Sequence, residues 1–231
     1  MMTSIKKHPF NIKKVSSKIN RLALALLLVL FTGGIAHAQK QYDPESGSAA
    51  YVAKIKALNS NLTKEHISGQ ASFVIADGQL NITIVAKGLA PSIMHLQHIH
   101  GFKVSGKASS CLGPDADSNG DGIVDLIETH QSSGVTLIPF NAAPTKLKIK
   151  SSSYPVANGN GLLTYQMDVP LDALTSAIQN NYDIGELSLE DRVMYIHGVP
   201  EGTSLPETVQ SLPGVPSLVT VPIACGEIEA L

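Results

Sequence analysis

The stretch Ala71-Ser72-Phe73-Val74-Ile75-Ala76-Asp77-Gly78-Gln79-Leu80-Asn81-Ile82-Thr83-Ile84-Val85 decides the fold class. Two runs rich in β-branched residues, each with partial alternation, flank a short segment whose Asp-Gly pair supplies the chemistry of a tight hairpin turn. Residues 71–76 and 80–85 are therefore expected to pair as antiparallel strands. Working outward, strand-like composition begins at Tyr51. Downstream, Gly88-Leu89-Ala90-Pro91 breaks the pattern before a strand carrying His95, His98 and His100. Further strands are expected at 147–150, 162–169, 192–199 and 218–224, and a short helix at 171–181, where Pro170 and Asp172 favour the first turn. Many short strands with Gly/Pro turns indicate an antiparallel sandwich or barrel. Two long connections, 101–140 and 200–216, interrupt the strands, and loops of that length inside a compact domain are usually functional or mobile.

The first 38 residues read as a signal peptide: a basic stretch with Lys13, Lys14, Lys18 and Arg21, an apolar run from Leu22 to Phe31, and Ala36-His37-Ala38 as a cleavage signal. The apolar run is too short to be preferred as a membrane span. The chain is expected to be exported, to a periplasm or outside the cell, with a linker at 39–50, one β domain at 51–231 and no integral span after cleavage. The leader takes six of the 17 Lys+Arg and none of the 19 Asp+Glu, leaving 11 basic against 19 acidic residues, a net charge of −8. That balance argues against nucleic acid or an anionic membrane as partner, because neither is attracted without clustered cations. Two cysteines, Cys111 and Cys225, most simply form one disulfide in an exported chain.

Two motifs point to metals. His98-Ile99-His100 places two imidazoles on one face of a strand, and Tyr195-Ile196-His197-Gly198 supplies a third from a later strand. Three imidazoles suit copper or zinc. His66 has no such company and reads as an ordinary hydrogen-bonded residue. In the first long connection, Asp117, Asn119 and Asp121 stand at positions 1, 3 and 5 of a calcium-type loop. Gly122 follows at the turn, the Ile123 carbonyl at position 7, Asp125 at position 9 and Glu128 at position 12. Starting the loop at Asp115 instead would put Leu126 at position 12, which cannot bind a cation. The plain alternative is a solvated acidic turn. No incoming helix precedes Asp117, so the loop's expected task is structural, at extracellular calcium affinities of about 0.1 to 1 mM.

Taken together, these residues resemble the copper/zinc superoxide dismutase family. Gly88-Leu89-Ala90-Pro91 followed by His95-Leu96-Gln97-His98-Ile99-His100 is similar to that family's copper-binding strand. Arg192 stands five residues before His197, and Ala224-Cys225-Gly226-Glu227-Ile228 is similar to its terminal cysteine motif. The resemblance covers most of the domain from Gly69. It implies an all-β fold, an eight-stranded antiparallel Greek-key barrel or sandwich with long loops. It also implies copper held by His98, His100 and His197 as catalytic residues, with His130 or Asp115 as a possible further ligand, His95 as a structural histidine, and a Cys111–Cys225 disulfide. The bridging histidine of the family is replaced by Asp115 after Gly113-Pro114, its other zinc ligands have no counterpart, and its guiding arginine corresponds to Pro222. Zinc is therefore not expected. Two functions follow: a copper-dependent oxidoreductase acting on superoxide, or a catalytically inactive, calcium-stabilised binding or adhesion module of the same fold. The His98 to Gly101 region also resembles chordin-type domains, which lack the terminal Ala-Cys-Gly pattern. The oligomeric state is not legible.

Overall fold

The computed structural model describes residues 48–63 and 66–231. The signal-peptide segment lies outside the described residues, as does the expected linker up to residue 47. Its last residues, Ala49 and Ala50, already belong to the first strand.

Eight strands form one antiparallel sheet: β1 (Ala49–Ala57), β2 (Ser68–Ala76), β3 (Gln79–Lys87), β4 (Leu96–Gly101), β5 (Val135–Pro139), β6 (Leu163–Pro170), β7 (Val193–His197) and β8 (Pro222–Ala230). Among the described residues three α-helices accompany them: α1 (His130–Ser133), α2 (Leu171–Tyr182) and α3 (Ser217–Thr220). The sheet runs β5-β4-β7-β8-β1-β2-β3-β6 and curls into a half-barrel, with β5 and β6 at its edges. The expected all-β class and the expected helix at 171–181 are both present. No helix among the described residues is long and apolar enough to cross a membrane.

The hairpin that decided the class forms as read. Ala76 pairs with Gln79 across Asp77 and Gly78, both at positive φ (51° and 71°), the pairing geometry of a two-residue turn that follows strand twist. In β3 the alternation is strict: Leu80, Ile82, Ile84 and Ala86 are buried, while Thr83, Val85 and Lys87 face out. With Phe73, Leu163, Val169, Ile99, Ile138, Met194 and Ile196 they fill the core, which Leu174 and Ile178 of α2 join. Each such side chain contributes about 1.5 to 3 kcal/mol by leaving water.

Three strand expectations need correction. Residues 147–150 are not a strand: Leu147, at φ 50°, ends a 3-10 turn over Pro144–Lys146, and a left-handed residue cannot continue a pleat. Residues 217–220 are the helical turn α3, and the strand placed at 218–224 begins only at Pro222. The connection 101–140 is not structureless, because it contains α1 and β5. β5 is short and ends in Pro139, which blunts its strand signal, and an edge strand is where a proline is tolerated.

Candidate metal centre

β4 and β7 are buried on both faces, which fixes what each of their residues can meet. Ile99, Met194 and Ile196 face the main core. The opposite face carries His98, His100, Tyr195 and His197, with Leu96 opposite His197 and His98 opposite Tyr195. Bulges fall beside two of the three histidines, between Ile99 and His100 and between Ile196 and His197, and such bulges re-aim side chains.

The long connections roof this face. A second apolar cluster of Leu58, Val124, Val193, Tyr195 and Cys225 packs with Cys111, Leu112 and Ala116. The Cys111–Cys225 disulfide, Cα atoms 5.8 Å apart, staples the roof to β8. Gly134 closes α1 against β4: at φ +74° it sits on the Gly101 carbonyl, where a Cβ has no room. The Ser133 hydroxyl meets the Tyr195 hydroxyl at 2.7 Å and donates to the Ser110 carbonyl.

Under that roof His98, His100 and His197 converge. One ligand atom from each lies within 4.8 Å of the others, and the residues are 3 %, 0 % and 1 % exposed. Among the described residues no other group of three His, Cys, Asp or Glu converges in this way. The ring pairs His98–His197, His100–His197 and His98–His100 have centroids 5.1, 5.8 and 6.0 Å apart.

Hydrogen bonds orient the rings. His197 Nδ1–H donates to the Thr220 carbonyl at 2.8 Å, which leaves Nε2 as a bare lone pair. The Tyr154 hydroxyl donates to the Ile149 carbonyl, so His98 Nε2–H donates to the Tyr154 oxygen at 2.8 Å and its Nδ1 is the bare nitrogen. His100 Nε2 meets Thr136 Oγ1 at 3.1 Å. The remaining nitrogens, His98 Nδ1, His100 Nδ1 and His197 Nε2, are buried without a protein partner. Three converging imidazoles that carry buried nitrogens without a hydrogen-bond partner, on rings oriented by their other nitrogens, are the donor set that a metal ion requires.

Electrostatics agree. Burial first, then the neighbouring imidazoles, hold His98 and His100 well below the ordinary histidine range, and burial lowers His197 to about 4. All three are neutral, ligand-ready bases at neutral pH. Burial pushes the Tyr195 phenol up to about 12, so it stands beside the cluster as a neutral hydroxyl.

The other expected residues fall elsewhere. His95 precedes β4, with its ring nitrogens 3.1 Å from the His197 carbonyl and 3.0 Å from the Ala90 carbonyl, and it ties the connection before β4 to the end of β7 rather than joining the cluster. His130, half-buried, lies close enough to His100 to lower its pKa but does not converge with the three. Asp115 is exposed and also stands apart. Arg192 is buried and donates through Nη1 to the Phe102 carbonyl at 2.8 Å, pinning the roof's first residues to the start of β7.

The acidic loop folds on its own side chains. Asp117 accepts from the backbone N–H of Gly120, Asp121 and Gly122, and Asn119 from that of Asp121. Asp121 accepts from Ile123, Asp125 from Ile127 and Glu128. Glu128 accepts from Ser118 and Asp125.

No family model matches this chain, and no curated protein matches it either. The sequence pointed to the three histidines through their spacing. It could not reveal Tyr154, Thr136 or Thr220, because a second-layer partner carries no spacing signal of its own.

Proposed function

We propose that this chain is an exported copper-binding protein with the copper/zinc superoxide dismutase type of fold. The observation that carries the proposal is the buried convergence of His98, His100 and His197 with three partnerless nitrogens. The sheet order supports it: β3 lies beside β6 and β4 between β5 and β7, so approach of the edges β5 and β6 would complete a Greek-key barrel. All-nitrogen donors suit copper over calcium or magnesium.

Copper bound there would supply a one-electron redox couple, the chemistry that superoxide dismutation uses. The chain's own contribution is placement. Thr220 and Tyr154 set which nitrogen of His197 and His98 faces inward, and the roof excludes water. Copper-loaded protein is expected to hold one copper per chain by elemental analysis, and His197→Ala to reduce it to background. Unloaded wild type after copper exposure would end this reading. Superoxide turnover is measured on the same samples.

A second reading, the non-catalytic calcium-stabilised module, is favoured by two observations: the centre is almost fully enclosed, and Pro222 stands where a guiding arginine is expected. Copper binding without turnover would select it. On this reading the loop from Asp117 to Glu128 binds calcium. Saturating calcium then stabilises the fold by about 2.7 kcal/mol at a hundredfold excess over Kd. Glu128→Gln is expected to remove most of that gain by deleting the bidentate charge. An unchanged Tm at millimolar calcium would leave the loop a solvated acidic turn.

A further inference from the structure

In the sequence the acidic loop at 117–128 and the histidines at 98, 100 and 197 are separate motifs. The structure joins them by a short line of hydrogen bonds through the connection between β7 and β8. We infer that residues 208–211 form a strut by which the acidic loop positions His197, so that Thr208 and Ser211 are positioning residues for the metal centre. The inference rests on the reading of the histidine cluster as a metal site.

At one end, the strut is held by two carboxylates of the acidic loop. Thr208 Oγ1–H donates to Asp121 Oδ2 at 2.6 Å, and the Gln210 backbone N–H donates to Asp125 Oδ2 at 2.6 Å. Asp125 is 1 % exposed, and its other oxygen accepts from the Ile127 and Glu128 backbone, so it anchors rather than floats. At the other end, the strut grips α3. Ser211 Oγ–H donates to the Val215 carbonyl at 2.7 Å, so the Thr220 hydroxyl, also at 2.7 Å, donates to Ser211. Ser217 Oγ–H donates back to the Val209 carbonyl at 3.0 Å. The last carbonyls of a helix lack intrahelical partners, and the one at Thr220 is the acceptor for His197 Nδ1–H. Where that carbonyl sits decides where the bare Nε2 of His197 points. Asn59 fixes the same unit from below, accepting from the Val124 backbone N–H and donating to the Val124 and Pro222 carbonyls.

Partners of this kind tune a ligand's orientation, and their loss costs a metal site about ten- to a hundredfold in affinity. The test uses the full chain with copper(II) as the probe, reading the dissociation constant by chelator competition and the electron paramagnetic resonance spectrum of the bound ion. Ser211→Ala is expected to weaken copper binding about tenfold and to alter the spectrum. Thr208→Val is expected to act in the same direction with a smaller change, and Thr208→Ser to restore the wild-type spectrum. Thr208 is exposed, so its substitution leaves the fold intact even if Ser211→Ala does not fold. Variants that lower Tm but keep wild-type affinity and spectrum would overturn the proposal while leaving the copper centre standing. Wild type that takes up no copper would overturn the centre itself, and the strut's role with it.

Discussion

Replacing both cysteines by alanine is expected to cost about 4 to 5 kcal/mol of unfolding free energy, read as a lower urea midpoint with a steeper slope, because the uncrosslinked unfolded chain exposes more surface. Cys111 and Cys225 are 114 residues apart, and in the chain-entropy account a closed loop of that size restricts the unfolded chain most. The native state adds to this. Cys225 belongs to the small apolar cluster beneath the roof, and the Cys111 backbone N–H donates to Glu227 Oε1 at 3.0 Å, so the bridge joins segments that already touch. A loss below about 1 kcal/mol would mean that these contacts alone hold the roof, and that the bridge constrains little. A nonreducing peptide map linking the two cysteines is the prior check.

Mild acid is expected to destabilise the metal-free protein steeply. The folded-state pKa values of His98, His100 and His197 are all depressed, the last to about 4, whereas an unfolded histidine titrates near 6.5. Between those values the unfolded chain binds protons that the folded chain refuses. Stability is therefore complete above pH 6.5 and is lost as pH falls toward 4. For His197 alone the window corresponds to about 3 kcal/mol, at about 1.4 kcal/mol per pH unit. His98 and His100 push in the same direction, and the His197 share alone is a sizeable part of the stability of an ordinary domain, about 5 to 15 kcal/mol. Urea midpoints at pH 7.5 and pH 5 test this. A flat profile would contradict a neutral, buried cluster. Metal-loaded protein should resist further into acid and then release the ion as it unfolds, because protons and metal compete for the same nitrogens.

Much of this architecture was legible in the chain. The 71–85 hairpin and the helix beginning at Leu171 could be read because local signals agreed with their final environment: alternation, an Asp-Gly turn, and a proline ahead of the first turn. The pairs His98/His100 and Cys111/Cys225 could be read because strand period and cysteine count constrain them directly. Where tertiary context ruled, reading failed. Residues 147–150 have a strand's composition, yet Leu147 turns into a left-handed conformation to bury its side chain. Loops cover the histidine face of β4 and β7, so both strands are buried throughout, and the sequence pattern could not say what encloses the cluster. Neither could it say that the 200–216 connection is a strut, since its hydrogen bonds run to residues about 85 positions away in the chain.

The place of β8 in the sheet has a consequence for assembly of the fold. The first and last strands are neighbours at its middle, with Tyr51 opposite Ala230 and Ala57 opposite Ala224. On one side β1, β2, β3 and β6 pair with one another without β8 among them. On the other, β5, β4 and β7 carry all three histidines but meet the rest of the sheet only through residues 222–230. A polypeptide clipped before Pro222 would thus possess all three histidines and still lack the seam that fixes them. Strand pairings this distant in sequence form late and slowly, so the three histidines are held in place only once β8 has joined the sheet.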